Sequence, residues 1–212
     1  EYLPVEEDDR GTYIFNSKDL CMIEHIPDMI DAGINSFKVE GRMKTALYVA
    51  VVTRTYREAI DDYYISKELY ESKMEHYREE IAACTFRQFT TGFYYGKPNE
   101  ETQIYDCNTY VKNRVYLGTV EEVTAAGELV IHQKNKFCVG DAIEVMAFDG
   151  ENVDVEVLAI HDEHGTEMES APHPKQLLYV KVSHSEKNQK RYDYTHKALR
   201  SLSSAFFSIR ET

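Results

Sequence analysis

The stretch SFKVEGRMK, at residues 36–44, decides how the first half of the chain is interpreted. Its first five residues alternate between polar and apolar side chains, which is the two-residue period of a β-strand. Lys38 and Glu40 would share one face of that strand, after which a glycine turns the chain. Arg42 and Lys44 then lie beside the start of a predicted helix, a favourable position for anions. The pattern predicts a strand whose carboxyl end carries a polar, mainly basic site.

The segments on either side of this stretch alternate between strand and helix. Pro27 cannot donate a helix hydrogen bond, so the preceding helical segment is predicted to divide there, and Gly33 is typical of its end. After the stretch, apolar side chains recur at helical spacing. The predicted elements are strands over 12–17 and 36–40, and helices from about Lys18 to Gly33, over 45–64 and over 68–83.

Strands and helices in this order are the units of a parallel sheet, which needs neighbouring strands on both edges and helices on both faces. Two strands cannot supply such a sheet. Either this region packs on something else, or the chain begins inside a domain whose earlier strands are absent. The acidic start without a methionine favours the second interpretation. The first half is therefore expected to be part of an α/β domain.

The second half has the composition of an all-β domain. Segments rich in Val, Ile, Leu and Tyr alternate with turn residues, which predicts five or six short strands in a small antiparallel barrel. The predicted strands are 114–123, 127–133, 141–148, 153–161 and 176–182. The chain is thereby divided into an α/β part (1–84), a linker (85–104), a small β-barrel (105–183) and a tail (184–212) whose local basic balance fits a solvated segment.

A second polar set follows the preceding predicted strand. Its members are Asn16, Ser17, Lys18 and Asp19. Because ligands gather beyond the carboxyl ends of strands in parallel sheets, two polar strand ends predict one site, and a carboxylate or phosphate would fit its basic residues. The alternative is purely structural: an ion pair between Lys38 and Glu40, with Arg42 as a solvated residue at a helix start.

Composition limits the remaining function classes. The 212 residues carry 42% apolar side chains and a formal charge of −13, which fits a globular protein with a core. Such a charge argues against nucleic-acid binding over the whole surface, although local basic patches remain compatible with it. No stretch approaches the roughly 20 apolar residues of a membrane span, and we expect a cytoplasmic protein. The four cysteines lie far apart without CxxC pairs and are expected to be reduced thiols.

Common catalytic motifs are scarce in the sequence. His161 and His164 have a spacing that a metal ion can use, but they lie in a predicted turn without further organised ligands. Neither HExxH nor GxSxG occurs. The aromatic run GFYYG at 92–96 could stack nucleobases, although packing beside a domain junction is the more common use of such runs.

Several longer motifs resemble peptidase family U32, also called the collagenase-like proteases. These motifs are YIFNSKDLCMIEHIPDMIDAGINSFKVEGRMK (13–44), YVAVVTRTYREAIDDY (48–63), TTGFYYG (90–96) and NKFCVGDAIEV (135–145). The resemblance implies a TIM-like α/β barrel followed by a small antiparallel β-barrel. This chain would hold the last βα units of the first barrel and the carboxyl-terminal domain.

The resemblance implies two different activities. The family name implies proteolysis, whereas relatives in the same subgroup are implied to install 5-hydroxyuridine at the wobble position of tRNA in a prephenate-dependent reaction. A dicarboxylate such as prephenate matches Arg42 and Lys44, because guanidinium groups bind carboxylates through two hydrogen bonds. The residues supply no nucleophile, metal or acid pair for a protease. We therefore expect the carboxyl-terminal portion of a tRNA-hydroxylating protein, with a peptidase or a non-catalytic binding module as the alternatives.

The candidate site follows from these expectations. Lys38 and Glu40 are the candidate catalytic residues, and Glu40 would orient Arg42 or a substrate hydroxyl group. The candidate substrate-binding residues are Arg42, Lys44, Asn16, Ser17 and Lys18.

Cofactor and partners are expectations for the intact protein. Related family members carry an iron–sulfur cluster on four cysteines, and the resemblance matches Cys21 to the last of them. A cluster needs several thiolates, so no cofactor is expected in this chain alone. tRNA or a peptide is the expected substrate, no membrane is expected, and the β-barrel would supply an RNA or partner surface. The chain alone is expected to be inactive and, through unpaired strand edges, to self-associate.

Overall fold

The structure is a computed structural model, and it divides the chain into two compact units, Glu1–Asn113 and Arg114–Thr212. The residues that it describes are 5–9, 11–14, 17–84, 86–97, 102, 104, 114–146, 152–184 and 206–210. Among the helices of these residues, none has the length and apolar character needed to cross a membrane.

The first unit combines short strands with a helical layer. Its elements are β1 (Val5–Asp8), β2 (Gly11–Ile14), β3 (Asp19–Leu20), a 3-10 turn (Ile23–His25), α1 (Ile26–Asp31), α2 (Ala46–Ile65), α3 (Lys67–Ser72), α4 (Met74–Ala82) and β4 (Phe89–Thr90). β1 and β2 form an antiparallel pair, and β3 pairs in parallel with β4. Parallel pairing in the described part of this unit is limited to these two short strands, which do not by themselves form a TIM-like barrel.

The helices enclose a core that the apolar spacing predicted. Pro27 lies in the first turn of α1 and Gly33 follows its end with a φ of +80°, as expected. α2 begins at the cap Thr45, whose Oγ1 accepts a hydrogen bond from the Tyr48 N–H at 3.2 Å. Its inward face packs with α1 and α4 around the fully buried Tyr77.

The single helix predicted over 68–83 is wrong, because the chain breaks at Lys73 into α3 and α4. No glycine or proline marks this break in the sequence. Instead, Lys73 lies where its ammonium group bonds to two carboxylates of α2, Asp62 at 2.8 Å and Glu58 at 3.3 Å. A tertiary contact that no local pattern contains thus accompanies the break.

The predicted strand 36–40 is also wrong, since residues 34–41 have no regular secondary structure. A strand needs a hydrogen-bonded neighbour, and no described residue pairs with this segment. The alternation itself is kept: Phe37 and Val39 are half-buried against the helical core, while Lys38 and Glu40 are exposed. The two-residue period identified the buried face correctly but could not supply the partner strand.

The strand predicted over 12–17 is β2, which pairs with β1 in a hairpin rather than in a parallel sheet. The helix expected from Lys18 begins later, with the 3-10 turn at Ile23. Residues 18–21 are instead extended, because their backbone N–H groups bond to a distant segment: Lys18 to the Thr102 carbonyl at 3.0 Å and Asp19 to the Gln88 carbonyl at 2.9 Å. Pairing distant in sequence therefore replaced the predicted helix start.

The second unit is a curled antiparallel sheet. Its strands are β5 (Arg114–Val123), β6 (Leu129–Gln133), β7 (Phe137–Cys138), β8 (Ala142–Met146), β9 (Val153–His161), β10 (Glu167–Met168), β11 (Ser170–Ala171), β12 (Leu177–His184) and β13 (Phe206–Arg210). The main sheet has the order β10-β9-β12-β6-β5-β13-β8, and β8 also pairs with β9. Six strands thus have neighbours on both edges, around a core that includes Leu117, Ile131 and Val157.

All five strands predicted in this unit are present, with β5 and β9 at the predicted bounds. β13 is the sixth of the strands that have neighbours on both edges. It lies in the segment that the sequence indicated to be a tail. It pairs with β5 on one side and β8 on the other. The basic residues between 187 and 200 lie outside the described residues.

Candidate functional site

The basic residues of the opening stretch lie on a turn at 41–44 that leads into α2. The turn closes through a hydrogen bond from the Lys44 N–H to the Gly41 carbonyl at 2.9 Å. The Arg42 N–H donates to Glu40 Oε1 at 3.0 Å, so that Glu40 fixes the backbone from which the Arg42 side chain projects. The turn therefore presents Arg42 directly before the amino end of a 20-residue helix.

Gly41 is needed because the turn approaches α2 closely. A Cβ at this position would lie 2.5 Å from Cγ2 of Val49, which is closer than non-bonded carbon atoms approach. The backbone or Val49 would have to move to admit any side chain. Packing against α2, rather than an unusual φ, therefore selects glycine here.

Gly41→Ala is expected to destabilise the first unit by about 1–3 kcal/mol, because the added methyl group overpacks the turn. Thermal or denaturant unfolding of the chain would measure this change. Val49→Ala in the same chain removes the clashing methyl groups and is expected to recover most of the loss, since Val49 is partly exposed. A double variant no more stable than Gly41→Ala would contradict this account.

A carboxylate shared by two cations lies at the start of β3; we name Asp19, Lys44 and Arg87 the Asp19 cluster. Lys44 Nζ donates to Asp19 Oδ2 at 3.2 Å. Arg87 donates from Nε to Oδ1 at 3.2 Å and from its backbone N–H to Oδ2 at 3.0 Å. The Lys44 ammonium also lies 5.0 Å from the centroid of the Tyr48 ring, a cation–π distance. The cluster joins three segments of the first unit.

The surroundings of the turn are basic although the chain is acidic. Residues 17–19, 38–44 and 87 contain five cations and two carboxylates, a local charge of +3 against −13 for the whole chain. Lys38 and Arg42 are exposed, and within the described ranges neither side chain has an ion pair. Electrostatically, this surface favours an anion.

The structure brings together only some of the predicted site residues. Glu40 and Arg42 share the turn, but Lys44 is half-buried against Asp19 rather than directed at solvent. The remaining three predicted substrate-binding residues are Ser17, which is exposed, Lys18, which is half-buried, and Asn16, which lies outside the described residues.

Arg87 is the member of the Asp19 cluster that the sequence analysis missed. It lies 68 residues beyond Asp19 and reaches it because β4 pairs in parallel with β3. No local spacing connects the two residues. Only the position of an arginine two residues before a strand could have suggested that this side chain lies at the same end of the sheet.

Cys21 is half-buried beside α2. Its Sγ lies 3.8 Å from Oη of Tyr56, and the same hydroxyl accepts a hydrogen bond from the Met22 N–H at 2.8 Å. Burial raises the pKa of the Cys21 thiol and, more strongly, that of Tyr56. The thiol is therefore protonated near neutral pH, as expected for a cysteine packed in an apolar environment.

The described residues do not by themselves fit an iron–sulfur cluster, which requires several thiolates. Cys21 and Cys138 are free thiols and Cys84 is buried, while Cys107 lies outside the described residues. No group of three or more His, Cys, Asp or Glu side chains in the described ranges could hold a metal ion, and this includes the surroundings of His161 and His164. A ligand role for Cys21 stays a prediction about the intact protein.

Comparison with known sequences gives matches along most of the chain. Residues 1–104 match peptidase family U32, and residues 112–193 match the peptidase family U32 C-terminal domain. The tRNA hydroxylation protein P1 of Bacillus subtilis (strain 168) is 35% identical over 178 residues, which cover 84% of this chain and 42% of that protein. The collagenase of Porphyromonas gingivalis is 35% identical over 115 residues, covering 54% of this chain and 27% of that protein.

A solved structure also matches. The carboxyl-terminal domain of a Geobacillus thermoleovorans protein assigned to the U32 peptidases is 24% identical, with a TM-score of 0.35, and covers 46% of this chain and 92% of that chain. The present chain spans less than half of the length of the curated relatives it matches.

The fold defines a two-unit protein of mixed class. Its first unit is α/β, with a basic turn at the start of the longest helix, and its second unit in the chain is a curled antiparallel sheet. The two matches extend over both units. The chain belongs to peptidase family U32.

Proposed function

We propose that the longer protein containing this sequence hydroxylates the wobble uridine of tRNA at position 5, and that the 41–44 turn binds an anionic group of its substrate. The observation that carries this proposal is the local charge of +3 around the turn in a chain of −13. The name of the Bacillus subtilis relative, tRNA hydroxylation protein P1, supports the choice of reaction.

Arg42 is the residue best placed to contact the anion. Its guanidinium group is exposed, while its backbone is held by Glu40. A guanidinium group can donate two parallel hydrogen bonds to a phosphate or a carboxylate, including the dicarboxylate prephenate. Glu40 would position Arg42 and accept a hydrogen bond from a substrate hydroxyl group. Lys38 would add a second exposed cation, and Lys44 would stabilise the turn through Asp19.

The proposal extends to the rest of the intact protein. The parallel pair β3–β4 and the helices of the first unit would complete the last part of a TIM-like barrel, and Cys21 would be one ligand of an iron–sulfur cluster whose other ligands lie outside this chain. This chain alone would then lack activity. Its unpaired sheet edges would favour self-association, which light scattering can measure.

Arg42→Ala in the intact protein is expected to lower 5-hydroxyuridine in cellular tRNA by about tenfold or more, because a charge-assisted hydrogen bond to an anion contributes roughly 1.5–3 kcal/mol. The measurement is mass spectrometry of tRNA nucleosides from cells in which the gene has been deleted and then replaced by each variant. Arg57→Ala is the matched control, since Arg57 is an exposed arginine of α2 that pairs with Asp61. It should leave the modification unchanged.

Two results would contradict the proposal in different ways. If tRNA in the deletion strain is still fully hydroxylated, the protein does not carry out this reaction. If the Arg42→Ala variant restores a normal level of 5-hydroxyuridine, the protein still carries out the reaction, but the 41–44 turn is not its anion site.

Proteolysis is the second candidate, because a relative named collagenase is 35% identical over 115 residues. Gelatin cleavage by the intact protein, compared with a Glu40→Ala variant, separates the two activities. Cleavage that depends on Glu40, together with unchanged tRNA, would favour the peptidase.

A further inference from the structure

The loop that follows β4 holds aromatic side chains in a fixed backbone; we name residues 91–96 the aromatic loop. The Gly92 N–H donates to Oγ1 of Thr90 at 3.1 Å, and the Tyr94 N–H donates to the Thr91 carbonyl at 3.2 Å. Gly92 has a φ of +58°, and a Cβ there would lie 3.2 Å from a methyl group of Leu20. The loop therefore turns tightly over the end of β3.

All three rings of the aromatic loop are exposed, and one of them, Tyr95, also anchors the loop. Tyr95 bonds through its hydroxyl group to His25 Nδ1 at 2.8 Å and to the Asp28 carboxylate, and its ring lies 4.7 Å from the His25 ring. Tyr95 is nevertheless 58% exposed, while Phe93 is 79% exposed and Tyr94 is 56% exposed. Exposing two adjacent rings costs hydrophobic free energy, so rings held in this way indicate a binding surface.

The charge around the aromatic loop is suited to a polyanion. Residues 86–97 contain Arg87 and the exposed Lys97 but no Asp or Glu. The Asp28 carboxylate contacts the loop, but it is bonded to the Tyr95 hydroxyl group and lies 3.5 Å from Nδ1 of His25. The Asp19 cluster lies at the opposite end of the two-residue β3–β4 pair, about 7 Å of strand away. Tyr64 differs in this respect: it is 71% exposed on α2, but the acidic Asp61 and Asp62 are near it in sequence.

We propose that Phe93 and Tyr94 form a stacking surface for unpaired nucleobases of RNA, with Lys97 and the basic turn contacting its phosphates. Single-stranded nucleic acid is typically bound by exposed aromatic rings that stack on bases and by nearby cations that follow the backbone. A base-paired duplex is a poor ligand for this surface, because its bases are already stacked on each other. The inference rests on the proposed function only for the identity of the RNA, namely a tRNA loop.

The occupant follows from charge as well as from shape. A purely apolar protein partner would not require Arg87 and Lys97 in the chain on either side of the ring pair. Phosphates do require local cations on a chain whose formal net charge is −13, since that net charge repels them. Unpaired RNA is therefore the ligand that uses both features.

Fluorescence anisotropy with the full 212-residue chain tests the inference. The probe is a labelled oligouridine of about a dozen nucleotides, and a base-paired RNA duplex of the same length serves as competitor. Phe93→Ala and Tyr94→Ala are each expected to weaken binding about fivefold or more, and Tyr94→Phe, which keeps the ring, should bind as the original chain does. Tyr64→Ala, the matched exposed aromatic, should not change the affinity.

Several results would each overturn the inference. They are no measurable oligouridine binding by the original chain, equal binding after both alanine substitutions, and an equal loss with Tyr64→Ala. Duplex RNA that competes as well as single strands would also contradict base stacking. Thermal unfolding of each variant shows whether a loss of binding reflects misfolding, which is not expected for side chains this exposed.

The cellular assay distinguishes failure of this inference from failure of the proposed function. If gene deletion leaves tRNA hydroxylation intact while oligouridine binding depends on Phe93, the RNA surface is supported and the proposed reaction is wrong. If hydroxylation depends on Arg42 but oligouridine binding does not depend on Phe93 or Tyr94, the proposed reaction is supported and the proposed RNA surface is wrong.

Discussion

A chain that ends at residue 205 is expected to lose the cooperative unfolding of its second unit. β13 pairs at five positions with β5 and at three positions with β8. Each backbone hydrogen bond contributes roughly 0.5–1.5 kcal/mol, so removal of this strand is expected to cost about 3 kcal/mol or more. Hydrogen exchange followed by mass spectrometry measures the loss separately for each unit.

The same truncation leaves two long strand edges unpaired. An exposed edge presents free N–H and C=O groups to another chain, so the shortened protein is expected to aggregate more readily. The buried ion pair between Arg114 of β5 and Glu144 of β8, at 2.5 Å, would still join the two strands but cannot replace the strand between them. Light scattering detects the aggregation.

A chain that ends at residue 210 is the matched control, since it keeps β13 and removes two residues. It should unfold and scatter light as the complete chain does. Unchanged protection of β5 and β8 in the shorter truncation would show that β13 does not stabilise the sheet.

Tyr77→Ala is expected to destabilise the first unit by about 3–5 kcal/mol, the range for deleting a large buried aromatic side chain. Tyr77 is fully buried between α2 and α4, its ring stacks 5.8 Å from that of Tyr70, and its hydroxyl group donates to Asp62 Oδ2 at 2.5 Å. The substitution removes all of these contacts. Denaturant unfolding followed by helical circular dichroism measures the change.

Two further variants separate packing from hydrogen bonding. Tyr77→Phe keeps the ring and is expected to cost about 1–3 kcal/mol, because Asp62 loses a buried donor. Tyr64→Ala, at a tyrosine that is 71% exposed on α2, should stay within about 0.5 kcal/mol of the original chain. A Tyr77→Ala chain as stable as Tyr64→Ala would contradict the position of Tyr77 in the core.

The Asp62 interaction also has a defined pH dependence. Burial alone would raise the pKa of Asp62, but hydrogen bonds from Lys73 and Tyr77 outweigh it and lower the pKa. Because the folded-state pKa is below that of the unfolded chain, the stabilisation is complete above the ordinary aspartate range and is lost as the pH falls through the folded value. The free energy of unfolding of the Tyr77→Phe variant should therefore fall less steeply as the pH is lowered.

Periodicity predicted the elements whose partners are close in sequence or whose burial is one-sided. α2, β5 and β9 lie at or within one residue of their predicted bounds, because a long apolar stripe or a regular alternation specifies such elements locally. The alternation over 36–40 identified the inward side chains even though the segment is not a strand. Burial is thus better encoded in local pattern than hydrogen-bond pairing is.

The candidate site was predictable only in part. The 41–44 turn, with its glycine and exposed Arg42, was visible in the sequence. The engagement of Lys44 by Asp19, and the presence of Arg87 beside them, depend on the parallel pairing of β3 with β4. Whether a cation is available to a ligand or already paired is decided by such contacts.

By itself, the sequence determined membership of the U32 family, the division into an α/β region and an all-β region, and the basic character of the turn before α2. Tertiary structure decided that β13 joins the sheet, that Lys73 divides a helix and that Arg87 shares a carboxylate with Lys44. The reason is physical: side-chain periodicity reports which face of a segment is buried, whereas hydrogen bonds and ion pairs between distant segments exist only once the chain has folded.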